Sequence, residues 1–346
     1  GGCGRPTPRP CWPRCDDDAA ARECGWWGCQ HGHEFARNAA LDAVRGVASG
    51  GSGGGGEWHE WLYVALHSHS ATYYHATAQT LPRLMWAHTL LLAEPRIRVA
   101  HESRTLDALL PFVGLGGRGV LITSRGVAAR RLTIAPAADL HGLDNDAHPP
   151  WVYRTRALRA AITRAGPALI RHSLSRDGVE EEDGEARAPP PDRHGPAAGT
   201  IVIVRRVARG RKGRGDRAVR NHAELMAAVR AEWPTALVSE FLPSASVAQT
   251  VATFTAATLV IGVHGAGLSN VLFATRRLTL VELIWEQQPG WGTFPPLIAP
   301  RRGSYVNCTY ASPRAGPPLS PDSDVTLDIP AVFACMRRHR VSPRPT

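Results

Sequence analysis

Lysine is almost missing from this 346-residue sequence: Lys212 stands alone among 40 basic side chains, and the others are arginine. Aromatics make up only 7%, and no stretch interleaves them with basic residues as an RNA-binding sheet would. The formal charge of +10 therefore does not read as a nucleic-acid surface, and no nucleic-acid partner is expected. The arginines are scattered except for one cluster between Arg205 and Arg220, and such groups suit a small anion as well as a polymer. No apolar run reaches the 18 residues of a membrane span, and no signal-peptide pattern follows Gly1-Gly2-Cys3-Gly4. Any membrane anchor is expected to lie outside this sequence.

Two further absences narrow the chemistry. No Asp-x-Asp triplet follows a strand-like run. Asp16-Asp17-Asp18 lies in a Cys-rich lead and Asp144-Asn145-Asp146 in a Gly/His/Pro loop, where solvated turns are expected. No bound metal or other cofactor is expected. At the chain's main glycine turn, Gly267-Leu268-Ser269-Asn270-Val271 lacks the second glycine of a Gly-x-Ser-x-Gly elbow, which removes a serine hydrolase.

Five of the seven cysteines, Cys3, Cys11, Cys15, Cys24 and Cys29, crowd the first 29 residues without the paired spacing of a zinc ribbon. A small disulfide-bonded stretch is expected there. Cys308 and Cys335 come much later, and Asn307-Cys308-Thr309 fits the N-glycosylation sequon. Both features favour a secretory lumen.

What is present is best seen at residues 258–273. The apolar run from Leu259 to Val263 stops at His264-Gly265-Ala266-Gly267, after which a helix start is expected at Leu268. A buried strand, a glycine turn and a helix start are where open α/β sheets bind phosphates, because glycine admits an anion close to the backbone and the first helical N–H groups lack internal partners. His264 and Asn270 flank the turn and can donate to a diphosphate or a sugar. The structural alternative is a tight connection that binds nothing.

The chain divides by composition. A Cys/Gly-rich lead and linker cover residues 1–56, with one short helix at 34–47. A first domain runs over 57–176, with strands at 62–66, 96–100, 120–123 and 132–135 and helices at 76–93 and 154–164. The acidic and Pro-rich stretch 177–198 reads as a solvated connector. The second domain, 199–315, alternates strand and helix: strands at 200–204, 236–240, 260–263, 279–283 and 305–310, helices at 221–232 and 247–257, the latter capped by Ser246. Residues 316–346 form a tail with a terminal helix at 329–340. Strand–helix–strand repetition implies parallel sheets with right-handed crossovers. The expected fold is α/β, with two Rossmann-like doubly wound domains facing a cleft.

The turn and its continuation to Phe273, followed by Leu280-Val281-Glu282-Leu283, resemble glycosyltransferase family 61. Two more blocks fit in the family's order: Tyr73-Tyr74-His75 running to Leu81-Pro82-Arg83-Leu84, and the strand ending in Arg205-Arg206 followed by Arg217 and Arg220-Asn221-His222. The resemblance spans roughly residues 60–310. It implies the GT-B architecture and an inverting transfer of a sugar of the GlcNAc, xylose or arabinose class. The donor would be a UDP-sugar, the acceptor a glycan or glycoprotein, and the compartment the Golgi or endoplasmic reticulum lumen. The diphosphate is expected on Arg205, Arg217 and the turn His264–Gly265–Ala266–Gly267, with Asn270 beside it. Glu282, a carboxylate inside an apolar run, suits two ribose hydroxyls; a salt bridge to a core arginine is its structural alternative. His75 is the candidate catalytic base. The sequence departs from the family where Gln79 replaces an acid and His222 replaces the Glu after Asn221. A catalytically silent relative that binds nucleotide or glycan is therefore the alternative function.

Overall fold

A computed structural model describes residues 57–65, 72–122, 127–134, 149–176, 199–206, 217–285, 294–298, 303–310 and 324–343. The expected Cys-rich lead, the acidic connector, the two Asp clusters and residues 311–323 lie outside the described residues.

Among the described residues nine strands form two sheets. The first orders β3-β2-β1-β4, from β1 (Glu57–Val64), β2 (Ile97–His101), β3 (Gly119–Leu121) and β4 (Val127–Ile134). The second orders β6-β5-β7-β8-β9, from β5 (Thr200–Val204), β6 (Leu237–Phe241), β7 (Leu259–Val263), β8 (Thr279–Trp285) and β9 (Ser304–Tyr310). Every pairing is parallel. Both sheets are thus the parallel α/β type expected, and the strands fall within a few residues of the predicted positions. Their sequences show why. Every residue of β7 and β8 is buried, as parallel strands covered on both faces require.

In the second sheet β5 sits between β6 and β7, so the chain turns one way from β5 to β6 and the other way from β7 onward. The carboxyl ends of β5 and β7 flank this reversal, which is the crevice where open sheets bind ligands. Arg205 follows one of these strands and His264 the other.

Helices differ more from expectation. The segment predicted as one helix over 76–93 is a π-helix at His75–Thr80, an α-turn at Leu81–Leu84 and a separate helix at His88–Ala93. The helical run continues through Pro82 to Leu84, and the break falls at Met85–Ala87. The predicted helix at 154–164 is part of a much longer one, Pro149–Arg176, which continues through Pro167. Helix Val247–Ala256 has the predicted Ser246 cap, completed by Gln249 into a reciprocal capping box.

One apolar core spans both units. It joins Tyr63, Leu81 and Leu110 of the first through Leu158 and Ile162 of the long helix to Val204, Phe254 and Leu268 of the second. A second core lies on the opposite face of the second sheet, where Val332, Phe333 and Met336 of the terminal helix Ile329–Arg338 cover Val306 and Cys308 of β9. A disulfide between Cys308 and Cys335 fixes that helix to β9. Asn221 helps by exchanging two hydrogen bonds with the backbone of Leu327, each 2.9 Å.

The disulfide closes a loop of 27 residues. A cross-link of that span restricts the unfolded chain enough to contribute about 3–4 kcal/mol. Reducing it, or making Cys335→Ser, should lower the unfolding free energy by that amount. Urea denaturation with and without reductant measures the change, and equal midpoints would show that the link contributes nothing.

Candidate functional site

The glycine turn is built by the β7 end. After Val263 the chain enters a 3-10 helix, Ala266–Phe273, in place of the predicted α-helix. Ala266 is exposed at its tip, and the first two N–H groups precede the first intrahelical acceptor. The His264 carbonyl at this turn accepts from two guanidinium groups, Arg206 Nη1 at 3.0 Å and Arg217 Nη1 at 3.2 Å. Arg217 takes a left-handed conformation at φ 57, a strained backbone for a residue with a Cβ. Burial raises the Tyr310 phenol at the end of β9, with the Arg217 and Arg206 charges opposing.

Arg205 was expected over the anion, and in the structure it has a partner of its own. Its guanidinium turns to Glu240 of β6 at 3.2 Å, where His222 Nε2 also approaches at 2.7 Å. Successive residues leaving a strand point to opposite sides, so Arg206 faces the turn and Arg205 faces away. Sequence reasoning missed Arg206. The signal was available in that alternation but depends on where the strand ends.

The glycines have separate tasks. A Cβ on Gly265 would fall 1.6 Å from Arg206 Nη1, so its absence makes room for the guanidinium. A Cβ on Gly267 would lie 2.9 Å from Val204 Cγ1, so this glycine lets the turn pack on β5. Gly267→Val therefore strains the core.

Three expected ligand-binding side chains turn inward. Glu282 is 2% exposed, and its two oxygens engage His264 Nδ1 and the Tyr305 hydroxyl. Among the described residues these two side chains stand where the structural alternative would place a core arginine. Burial and the nearby Glu282 charge together push the Tyr305 phenol far above its ordinary value. Asn270 is fully buried and accepts from Tyr73 at 2.7 Å through Oδ1, leaving Nδ2 without a partner. Burial pushes the Tyr73 phenol up to about 12, with the Asn270 and Thr250 hydrogen bonds opposing.

His75 lies in the same neighbourhood. Its Nδ1 meets Gln79 Oε1, one π-turn away, and its ring meets Tyr74 edge-on at 5.1 Å. Tyr74 packs at 6.0 Å against Phe294, which lies 5.5 Å from the His264 ring. Tyr74 is raised mainly by burial and then by the Glu282 charge, which confirms the closeness. An aromatic chain thus connects the His75 block to the glycine turn. Thr77 adds a hydroxyl contact to Ser269 at 2.9 Å. Among the described residues no group of three or more His, Cys, Asp or Glu could hold a metal, and no helix is long and apolar enough to cross a membrane.

A family model described as Glycosyltransferase 61 matches residues 73–281, more than half of the chain, from the Tyr73 block through the turn and into β8. None of the curated proteins matches. Among solved structures, E. coli heptosyltransferase WaaC with ADP-2-deoxy-2-fluoro heptose is similar over 81% of this chain and 99% of its own, with 12% identity and a TM-score of 0.37.

The histidines around this frame set a pH dependence. Burial holds His222 below the ordinary histidine value, with Glu240 opposing and Arg205 assisting. Burial likewise lowers His101, at the end of β2, against the opposing Asp107. Both favour the neutral form when folded, so the unfolded chain binds more protons in acid. The stability they supply is complete above the ordinary value of about 6.5 and declines as pH falls below it. Melting temperature should drop between about pH 7.5 and about pH 5.5, and His101→Gln should flatten that slope. A wild-type melting temperature constant across the window would contradict the assignment.

Proposed function

The chain belongs to glycosyltransferase family 61, and from that premise we propose an inverting, metal-independent transfer of a sugar from a UDP-sugar to a glycan or glycoprotein acceptor. The family supports glycosyl transfer in general. The single observation that carries the finer reading is the convergence of Arg206 and Arg217 on the His264 carbonyl at the β5/β7 reversal. Leaving-group charge builds on the diphosphate during transfer, and preorganised guanidinium and backbone N–H groups stabilise it most strongly where they need not reorganise. Arg206, Arg217 and the N–H groups of Ala266 and Gly267 supply those donors. Glu282 acts through His264, fixing the turn from inside.

The acceptor hydroxyl must lose a proton as its oxygen attacks the anomeric carbon and the carbon–diphosphate bond breaks. His75 takes that proton in this proposal. The Gln79 carbonyl oxygen accepts from Nδ1–H and so selects the tautomer whose lone pair is on Nε2. Gln79 cannot be a base itself, but it positions one. The disulfide and the sequon support a secretory lumen as the compartment, Golgi or endoplasmic reticulum.

Two sets of variants test donor and acceptor separately. Arg206→Ala should weaken UDP binding on the order of tenfold to a hundredfold, as loss of a charge-assisted hydrogen bond does. Arg205→Ala should bind nearly as wild type. Calorimetric titration decides, and the reverse order would return the diphosphate to Arg205. Gly265→Ala should mimic Arg206→Ala, because the new methyl displaces the guanidinium without touching the core.

On the acceptor side, His75→Ala should lower transfer roughly 10²-fold or more, as loss of a general base does, while UDP affinity stays. Gln79→Leu should do the same more weakly. Wild-type transfer by His75→Ala would leave the base unidentified. Activity should also survive EDTA; loss with recovery on Mn²⁺ would overturn the metal-independent mechanism. UDP binding without any transfer across candidate acceptors would favour the silent relative.

A further inference from the structure

Asn307 is the one asparagine in the chain followed two positions later by serine or threonine. It lies on β9, the last strand in the order of its sheet, which pairs with β8 on one side only among the described residues. Side chains alternate along this strand. Val306, Cys308 and Tyr310 are buried beneath the terminal helix, whereas Asn307 and Thr309 are exposed. The two residues that define the sequon therefore share one open face at the sheet's edge. Among the described residues the Asn307 carboxamide has no hydrogen-bond partner, so attaching a group to it breaks no internal bond.

The residue between them adds an independent observation. Cys308 is bonded to Cys335, and such links form and persist in oxidising compartments, where sequons are also modified. We propose that Asn307 is an N-glycosylation site, so that the chain is itself a glycan acceptor apart from the transfer it catalyses. The donor is an oligosaccharide on a lipid pyrophosphate. Asn307 Nδ2 forms the bond to the anomeric carbon, the bond from that carbon to the pyrophosphate breaks, and the displaced Nδ2 proton passes to the modifying enzyme's base. The resulting glycan projects from an exposed strand edge, where bulk and hydration oppose pairing with another chain.

The full chain, fused to a secretory leader and expressed in a eukaryotic cell, gives the test. Intact mass and peptide mapping should show a single PNGase F-sensitive glycan at position 307, together with an intact Cys308–Cys335 link. The sensitivity should disappear in Asn307→Gln and Thr309→Ala and persist in Thr309→Ser. Should Asn307→Gln fail to be secreted, the two Thr309 variants decide alone. Secreted protein with the disulfide formed but no PNGase F-sensitive mass overturns the proposal, and so does sensitivity that survives Thr309→Ala. UDP binding by the same material is read separately, so a failed glycan does not bear on the transferase reading.

Discussion

The buried carboxylate of Glu282 is the constraint around which the site is arranged. It stands in the middle of a parallel sheet, on a strand with every residue buried, and a charge there is tolerated only with partners. In the β7–β8 register Glu282 lies opposite Gly262. The sheet provides partners through the hydroxyl of Tyr305 and the imidazole of His264. Drawing that ring inward commits the backbone at the end of β7. The His264 N–H bonds to the Leu283 carbonyl at 3.0 Å, and its own carbonyl goes to Arg206 and Arg217. The internal His264–Glu282 contact on one side of the turn thus fixes where two arginines gather on the other.

The same turn is where the two units are joined. Immediately after Gly267, Ser269 and Asn270 face the first unit, and Thr77 and Tyr73 meet them there. Arg159 from the long helix closes the far end of the 3-10 segment, with Nε on the Leu272 carbonyl at 3.1 Å and Nη2 on the Leu297 carbonyl at 2.5 Å. A cation at the carbonyl end of a helical segment is favourable, and a buried arginine requires such acceptors. The continuous apolar core makes these polar contacts part of one packed body. The glycine turn and the His75 segment are therefore held in a fixed relation, which the proposed displacement reaction would require.

Much of this was legible in the sequence, and the limits follow from physical reasons. Strands β5, β7 and β8 announce themselves because a parallel strand covered on both faces must be an unbroken apolar run. The turn at His264–Gly267 is legible for the same reason, since the run ends abruptly in glycine. Which arginine faces that turn is not, because beyond Val204 the alternation that assigns a side depends on the last ladder bond. The break at Met85–Ala87 was hidden by an apolar pattern compatible with one continuous helix. The Cys308–Cys335 link depends on a helix returning to an edge strand from 27 residues away, a tertiary fact with no local signature. Glu282 was recognised as a buried charge needing a partner, yet its partner is a residue already assigned to a different task.

Gln79 brings these levels together. Read against its family, an amide in place of an acid looks like a lost catalytic group. In the structure it is a buried side chain, 5% exposed, on the same π-helix as His75 and touching its Nδ1. The four-residue spacing makes the two side chains neighbours on one helical face, and π-turns recur at functional sites. An acid at that position would also accept from the imidazole but would place a charge in a buried setting, where it needs further partners. The amide keeps the hydrogen bond that orients the His75 ring and adds no buried charge.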